Sequence, residues 1–359
     1  MSLEVQIEKR LPSYTLSVEF ATGQRPLAIL GPSGAGKTMT LRCIAGLVRP
    51  DRGRIALNDR VLFDSSKNID VPSRERRIGL LFQNYALFPH MTVAENIAFS
   101  LEQGSPEERE RSVREKLNEL QLGELENRLP RQLSGGEQQR AAFARALALE
   151  PSALLLDEPL SALDTHLRYQ IEHLLQETLA NYKGPALLVT HNIEEAYRLG
   201  EDMLVLTKGR IAAFGPKTEI FRHPPSLEVA RLTGCKNFSR AQSISADMIE
   251  ATDWGCRLRI SPGVTKNAAH VGIRAHLIQF VESADGGASG DNTFPCWLTG
   301  ASETPFRNTL YLKLHSAPHP GEPPQLQAEV FKEKWERFKD RPMPWRVRLA
   351  PEVLMALPD

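Results

Sequence analysis

The chain has 359 residues, 41% hydrophobic and 25% charged, with 44 Lys plus Arg against 44 Asp plus Glu. These ordinary globular values argue against wholesale disorder, and the even charge balance provides no basic field for holding nucleic acid. The length leaves room for one large domain and a smaller one.

No apolar run approaches the roughly 18–20 residues that cross a bilayer, and Met1-Ser2-Leu3-Glu4 does not read as a secretory start. A cytoplasmic protein is expected, with any membrane role coming through a partner. The four cysteines, at 43, 235, 256 and 296, have no CxxC or Cys/His ligand spacing, so free thiols are expected.

In chain order, Leu16–Phe20 and Leu27–Leu30 read as strands around the turn Thr22-Gly23-Gln24, and a glycine loop leads into a helix from Thr38 to Leu47. From about 90 to 150 the pattern is helical. Ser105, Pro106 and Glu108 form a capping box, and Val113, Leu117 and Leu120 mark one apolar face. Ala153–Leu156 and Ala186–Val189 then read as buried parallel strands, with a helix over Leu163–Tyr182 between them. Near 225–240 the texture turns to alternating segments such as Leu310–Leu314 and Arg346–Leu349. Their connections carry the turn signals Pro262-Gly263, Asp285-Gly286-Gly287 and Pro318–Gly321.

The chemistry concentrates in three strings. Gly31-Pro32-Ser33-Gly34-Ala35-Gly36-Lys37-Thr38 is GxxxxGK[ST] between a strand and a helix: backbone N–H groups cradle phosphates, Lys37 reaches the β/γ phosphates and Thr38 ligates Mg²⁺. ATP and Mg²⁺ are therefore the expected cofactors. Leu154–Leu156 ends in Asp157, on the metal side, and Glu158, the candidate general base. In Leu133-Ser134-Gly135-Gly136-Glu137-Gln138-Gln139-Arg140, Ser134 is a good N-cap and the glycines allow close backbone approach, giving a second anion site at a helix start.

That last string resembles the signature of the ABC ATPases. The resemblance covers about residues 1–235 and implies a nucleotide-sandwich homodimer in which Ser134, Gly135, Gly136 and Glu137 cap ATP bound to the other copy. It further implies that Gln83 touches Mg²⁺ and the attacking water, that Ser161-Ala162-Leu163-Asp164 crosses the dimer interface, and that His191 is a switch contacting the γ-phosphate. The family stacks adenine on an aromatic residue before the first strand; Tyr14 is nearby and takes no assigned role. The other eight histidines show no metal-ligand spacing.

The expected fold class is α/β: a P-loop NTPase domain of the ABC type over 1–235, with a helical subdomain at about 90–150, then a mainly β accessory domain over 236–359. This tail, through Val271-Gly272-Ile273-Arg274 and later segments, is similar to the OB-like TOBE domain of importer ATPases. The resemblance implies an ATPase subunit on the inner face of the cell membrane, bound to integral-membrane permease subunits and served indirectly by an extracytoplasmic substrate-binding protein. The apolar loop with Tyr85, Leu87, Phe88 and Met91 is expected to dock on the permease.

Ile69-Asp70-Val71-Pro72 through Arg77 and Leu87-Phe88-Pro89-His90 look like molybdate and sulfate importer ATPases, so molybdate is the expected cargo; sulfate, ferric iron, polyamine and sugar importers share much of this. The tail is expected to serve dimerisation and stability; the alternative is that Arg274, Ser302–Arg307 and Lys332–Trp335 hold a regulatory dianion between two copies. A soluble ABC ATPase acting on nucleic acid or ribosomes is the alternative of another class. It would normally show two cassettes or a long coiled coil, and no nucleic-acid partner is expected.

Overall fold

The structure is a computed structural model; it describes residues 1–358 except 102–104, 162, 164, 262–267 and 282–291, and the side chains at 165 and 166 are not described. The turn signals Pro262-Gly263 and Asp285-Gly286-Gly287, and the expected interface residue Asp164, lie outside the described residues. The chain divides into two compact units, Met1–Lys217 and Thr218–Asp359.

Three apolar runs account for the middle of the first unit. Leu27–Leu30, Ala153–Asp157 and Ala186–Thr190 bury every residue, as strands covered on both faces must. Parallel pairing runs from Asp202–Thr207 through Leu27–Leu30, Ala186–Thr190 and Ala153–Asp157 to Ile78–Leu81. The carboxyl ends of these strands therefore line up at one end of the sheet, where open α/β sheets bind their ligands. An antiparallel arm extends the sheet, which has eleven strands among the described residues. Its strand Leu3–Arg10 alternates buried and exposed residues and pairs with both Thr15–Thr22 and Arg52–Leu57.

The helical stretch forms Val93–Ala98, Pro106–Glu119 and Gly135–Ala148, each started by a capping box. Ser105 and Glu108 exchange the expected pair of bonds, with Pro106 opening the helix. No helix among the described residues is long and apolar enough to cross a membrane.

The helix that follows the glycine loop, Lys37–Ala45, is closed at its far end by Arg76. This guanidinium, with its side chain 0% exposed, donates to the carbonyls of Cys43, Ile44 and Val71 and pairs with Asp70 at 3.0 Å. Cations at a helix C-terminus satisfy orphan carbonyls and oppose the negative end of the dipole. Gly46 makes this possible, because a Cβ there would lie 2.4 Å from Arg76 Nε.

Among its described residues the second unit holds two five-stranded antiparallel sheets. One core spans both, from Ile249, Trp254 and Val271 to Leu310, Leu312 and Val347. The unit starts before the boundary at 235 read from the sequence. The cause is packing: Ala230 and Cys235 cluster with Met355 and Leu357, and Arg274 donates to the carbonyls of Phe221 and Thr233.

That placement also takes Arg274, Arg307 and Lys332 out of the alternative dianion site. Arg274 is buried and spent on these carbonyls, Arg307 pairs with Glu329 at 3.6 Å and lies over Phe331, and Lys332 pairs with Glu303. All four cysteines are buried and free, and burial pushes the thiols of Cys256 and Cys296 up to about 12.

Candidate nucleotide site

The glycine loop adopts conformations that a side chain would resist. Gly34 and Gly36 sit at φ 79° and 106°, and a Cβ on Gly31 would lie 2.2 Å from the carbonyl oxygen of Leu206. Gly36 provides no side-chain cap to the helix Lys37–Ala45, so the first N–H groups of the helix remain available to an anion. Lys37 Nζ donates to the carbonyls of Gly31 and Pro32 at 2.9 and 3.1 Å. Burial pulls its ammonium down, against the carboxylates of Glu158 and Asp157.

Thr38 and Asp157 meet across the sheet end, with Thr38 Oγ1 donating to Asp157 Oδ1 at 2.8 Å. Burial pushes the Asp157 carboxyl up, and the Thr38 bond opposes the shift. Two hard oxygen donors beside a phosphate loop fit Mg²⁺, which takes one or two protein groups and completes its shell from phosphate and water. Among the described residues no cluster of three or more His, Cys, Asp or Glu offers a metal cage; Thr38 and Asp157 are the groups that would hold the ion, while Gln83, the third expected metal contact, donates to Glu158 at 3.3 Å.

Glu158 turns away from this pair because its backbone is left-handed, at φ 47°. The neighbouring strand and the turn that follows hold it there: its N–H donates to Val189, and its carbonyl accepts from the N–H and hydroxyl of Ser161. The carboxylate then lies between two residues that the sequence places far apart, 3.2 Å from His191 Nδ1 and 3.3 Å from Gln83 Nε2, which donates to it. The residues flanking His191 are held in place: Thr190 Oγ1 donates to Glu195 at 2.7 Å, and Asn192 caps the helix Ile193–Leu199. A carboxylate so placed can take a proton from a water at the end of a phosphate chain.

The structure thus brings Lys37, Thr38, Gln83, Asp157, Glu158 and His191 to one end of the sheet. Ser134, Gly135, Gly136 and Glu137 open the helix Gly135–Ala148, and among the described residues no side-chain hydrogen bond joins them to the phosphate loop. Glu137 accepts from Ser134 N at 2.7 Å and Ser134 Oγ at 2.8 Å, which holds its carboxyl below the usual range.

The ABC transporter family profile matches residues 14–161. The Fe(3+) ions import ATP-binding protein FbpC of Brucella abortus (strain 2308) is 39% identical over 300 residues, 80% of either chain. This chain belongs to the ABC transporter ATPases of importer type. Two further relatives are the molybdate/tungstate import ATP-binding protein WtpC of Archaeoglobus fulgidus, 41% identical over 66% of this chain and 96% of its own, and the sulfate/thiosulfate import ATP-binding protein CysA of Vibrio vulnificus, 44% identical over 62% and 64%. A solved dimeric ATP-binding cassette bound to ADP and Pi superposes with a TM-score of 0.51 at 30% identity, over 60% of this chain and 98% of that one.

Three residues of this ABC ATPase take their roles only from the structure. Tyr14 sends its hydroxyl to the carbonyl of Gly34 at 2.5 Å and packs against Gly209, where a Cβ would lie 2.5 Å from its ring. Arg145 grips the loop after Gln83, donating to the carbonyls of Tyr85 and Ala86 at 3.0 and 2.7 Å, with its guanidinium 5.4 Å from the centroid of Phe88. Gln139, on the same helix, donates to the carbonyl of Pro159, beside Glu158. In each case the signal is a partner distant in sequence.

Proposed function

We propose that this subunit hydrolyses ATP with Glu158 as general base, His191 and Gln83 positioning water and carboxylate, and Lys37 with the loop Gly31–Thr38 holding the phosphates. The observation that carries this reading is the Glu158 carboxylate held between His191 and Gln83, beside the Thr38–Asp157 pair. Mg²⁺ would neutralise phosphate charge there. Ser134, Gly135, Gly136 and Glu137 complete the site of a second copy, a role supported by the dimeric solved relatives. Closing and reopening such a dimer moves a permease through the loop after Gln83, and the C-terminal sheets form a TOBE-like accessory domain.

Molybdate is the cargo we propose from the sequence. A second reading, ferric iron, is supported by the reach of the FbpC match: it spans 300 residues, whereas the WtpC and CysA matches span 237 and 229.

Glu158→Gln tests the mechanism. An amide cannot accept the proton, so ATP affinity should survive while turnover falls by about 10²–10⁴-fold; near-normal turnover removes Glu158 from the role. Uptake of labelled molybdate, sulfate and ferric ion by the reconstituted complex decides the cargo.

A further inference from the structure

In the second unit, the helix Lys332–Phe338 and the strands Gln279–Val281 and Trp345–Arg348 border a cavity of about 640 Å³, within the roughly 300–1,000 Å³ range of ligand pockets. Its floor is aromatic. Phe280 stacks on Phe338 with centroids 4.8 Å apart and meets Trp345 edge-on at 6.1 Å. Trp335 braces the floor from behind, edge-on to both Phe338 and Trp345 at 5.4 and 5.9 Å. Phe338 and Trp345 are buried, so these flat faces are fixed by packing.

The rim has the opposite character. Lys334, Arg337, Arg341 and Arg346 line the cavity with one carboxylate, Glu333. Lys334 and Arg337 are three residues apart on one helix face. Unlike Arg307 and Lys332, neither they nor Arg346 form an ion pair among the described residues.

We propose that this cavity binds a small organic anion with a flat apolar body, such as an aromatic carboxylate or sulfonate. The two halves of the wall select that class together. A bare inorganic oxyanion would satisfy the cations but leave the aromatic floor wet, and a neutral apolar molecule would desolvate the cations without compensating their charge. A guanidinium can both pair with the acid group and stack on the planar body. All lining residues belong to the second unit, and none belongs to the nucleotide site.

The test is a titration of the full-length chain with anilinonaphthalene sulfonate in saturating ADP, read by energy transfer from tryptophan. Uncharged phenylnaphthylamine and inorganic sulfate serve as comparators. We expect saturable binding to one site, and the double variant Arg337→Glu with Arg346→Glu should weaken it at least about tenfold, the loss of one or more charge-assisted contacts. Both arginines are exposed, so the variant should keep its melting temperature and ATPase rate. Phe280→Ala should also weaken binding. Unchanged affinity in the charge-reversed variant overturns the proposal, as does equal affinity for phenylnaphthylamine. Displacement by sulfate at concentrations comparable to the dye would make it an inorganic-anion site instead and overturns it too.

Discussion

Arg145 holds the carbonyl of Tyr85 at 3.0 Å while its other terminal nitrogen holds that of Ala86 at 2.7 Å, fastening the helix Gly135–Ala148 to the loop that carries Gln83. Tyr85 and Ala86 both sit in the left-handed region, at φ 60° and 48°, a conformation that surrounding bonds must maintain. Lysine offers a point charge in place of this fork. Arg145→Lys should lower stability by about 1–3 kcal/mol, and it should lower turnover more than ATP affinity, because Gln83 follows the loop. Melting, nucleotide titration and ATPase assays on one preparation separate these effects; a stability loss with unchanged turnover would confine Arg145 to folding.

Asp157 trades stability for function. Burial raises its carboxyl above the ordinary carboxylate range, so ionisation is penalised in the folded state. The sign follows: its favourable contribution is present below the unfolded value and is lost as pH rises through the raised folded value. Asp157→Asn should therefore melt higher than the parent at neutral pH without nucleotide. A change on the order of 1 kcal/mol moves Tm by about 2–4 °C in a unit of this size. The gap should close as pH falls through the carboxylate range, while Mg²⁺-dependent hydrolysis is lost. A variant less stable at neutral pH would contradict the account.

Arg76→Met removes a buried guanidinium that serves three carbonyls and Asp70. Breaking a buried pair from one side costs about 3–5 kcal/mol. ATP affinity should fall with it, since the helix Lys37–Ala45 presents the phosphate loop. Denaturant unfolding and nucleotide titration measure both.

The loop after Gln83 turns its apolar side chains partly inward. Tyr85, Leu87, Phe88 and Met91 are half-buried, Phe88 packs on Phe99 at 4.4 Å, and Asn96 bonds the loop backbone at Phe88 and Met91. Asn84, Ala86, Pro89 and His90 are what it exposes most. Ala86→Glu with His90→Glu should thus leave the ATPase rate of the isolated subunit unchanged and lower permease-dependent transport. Normal transport would place the docking surface elsewhere.

Local chemistry made much of this site legible. The capping boxes at Ser105 and the N-cap at Ser134 need only a hydroxyl and a carboxylate three residues on, and the buried strands announce themselves as unbroken apolar runs. What stayed hidden depends on partners far along the chain. Nothing within the helix at Arg145 tells that its guanidinium meets carbonyls some sixty residues earlier. The left-handed turn that sends Glu158 toward His191 is set by Val189 and Ser161, and the early start of the second unit by Met355 and Leu357. The strand Leu3–Arg10 is a different case, since its alternation of buried and exposed residues is present in the letters themselves.

The grip of Arg76 on the phosphate-loop helix changes what the string Ile69–Arg77 can report. Its strongest structural demand comes from the far end of a helix whose near end faces the phosphate loop, so Asp70 and Arg76 within the string answer to the engine before the freight. Importers of ferric ion, sulfate and molybdate can then share it without sharing a cargo.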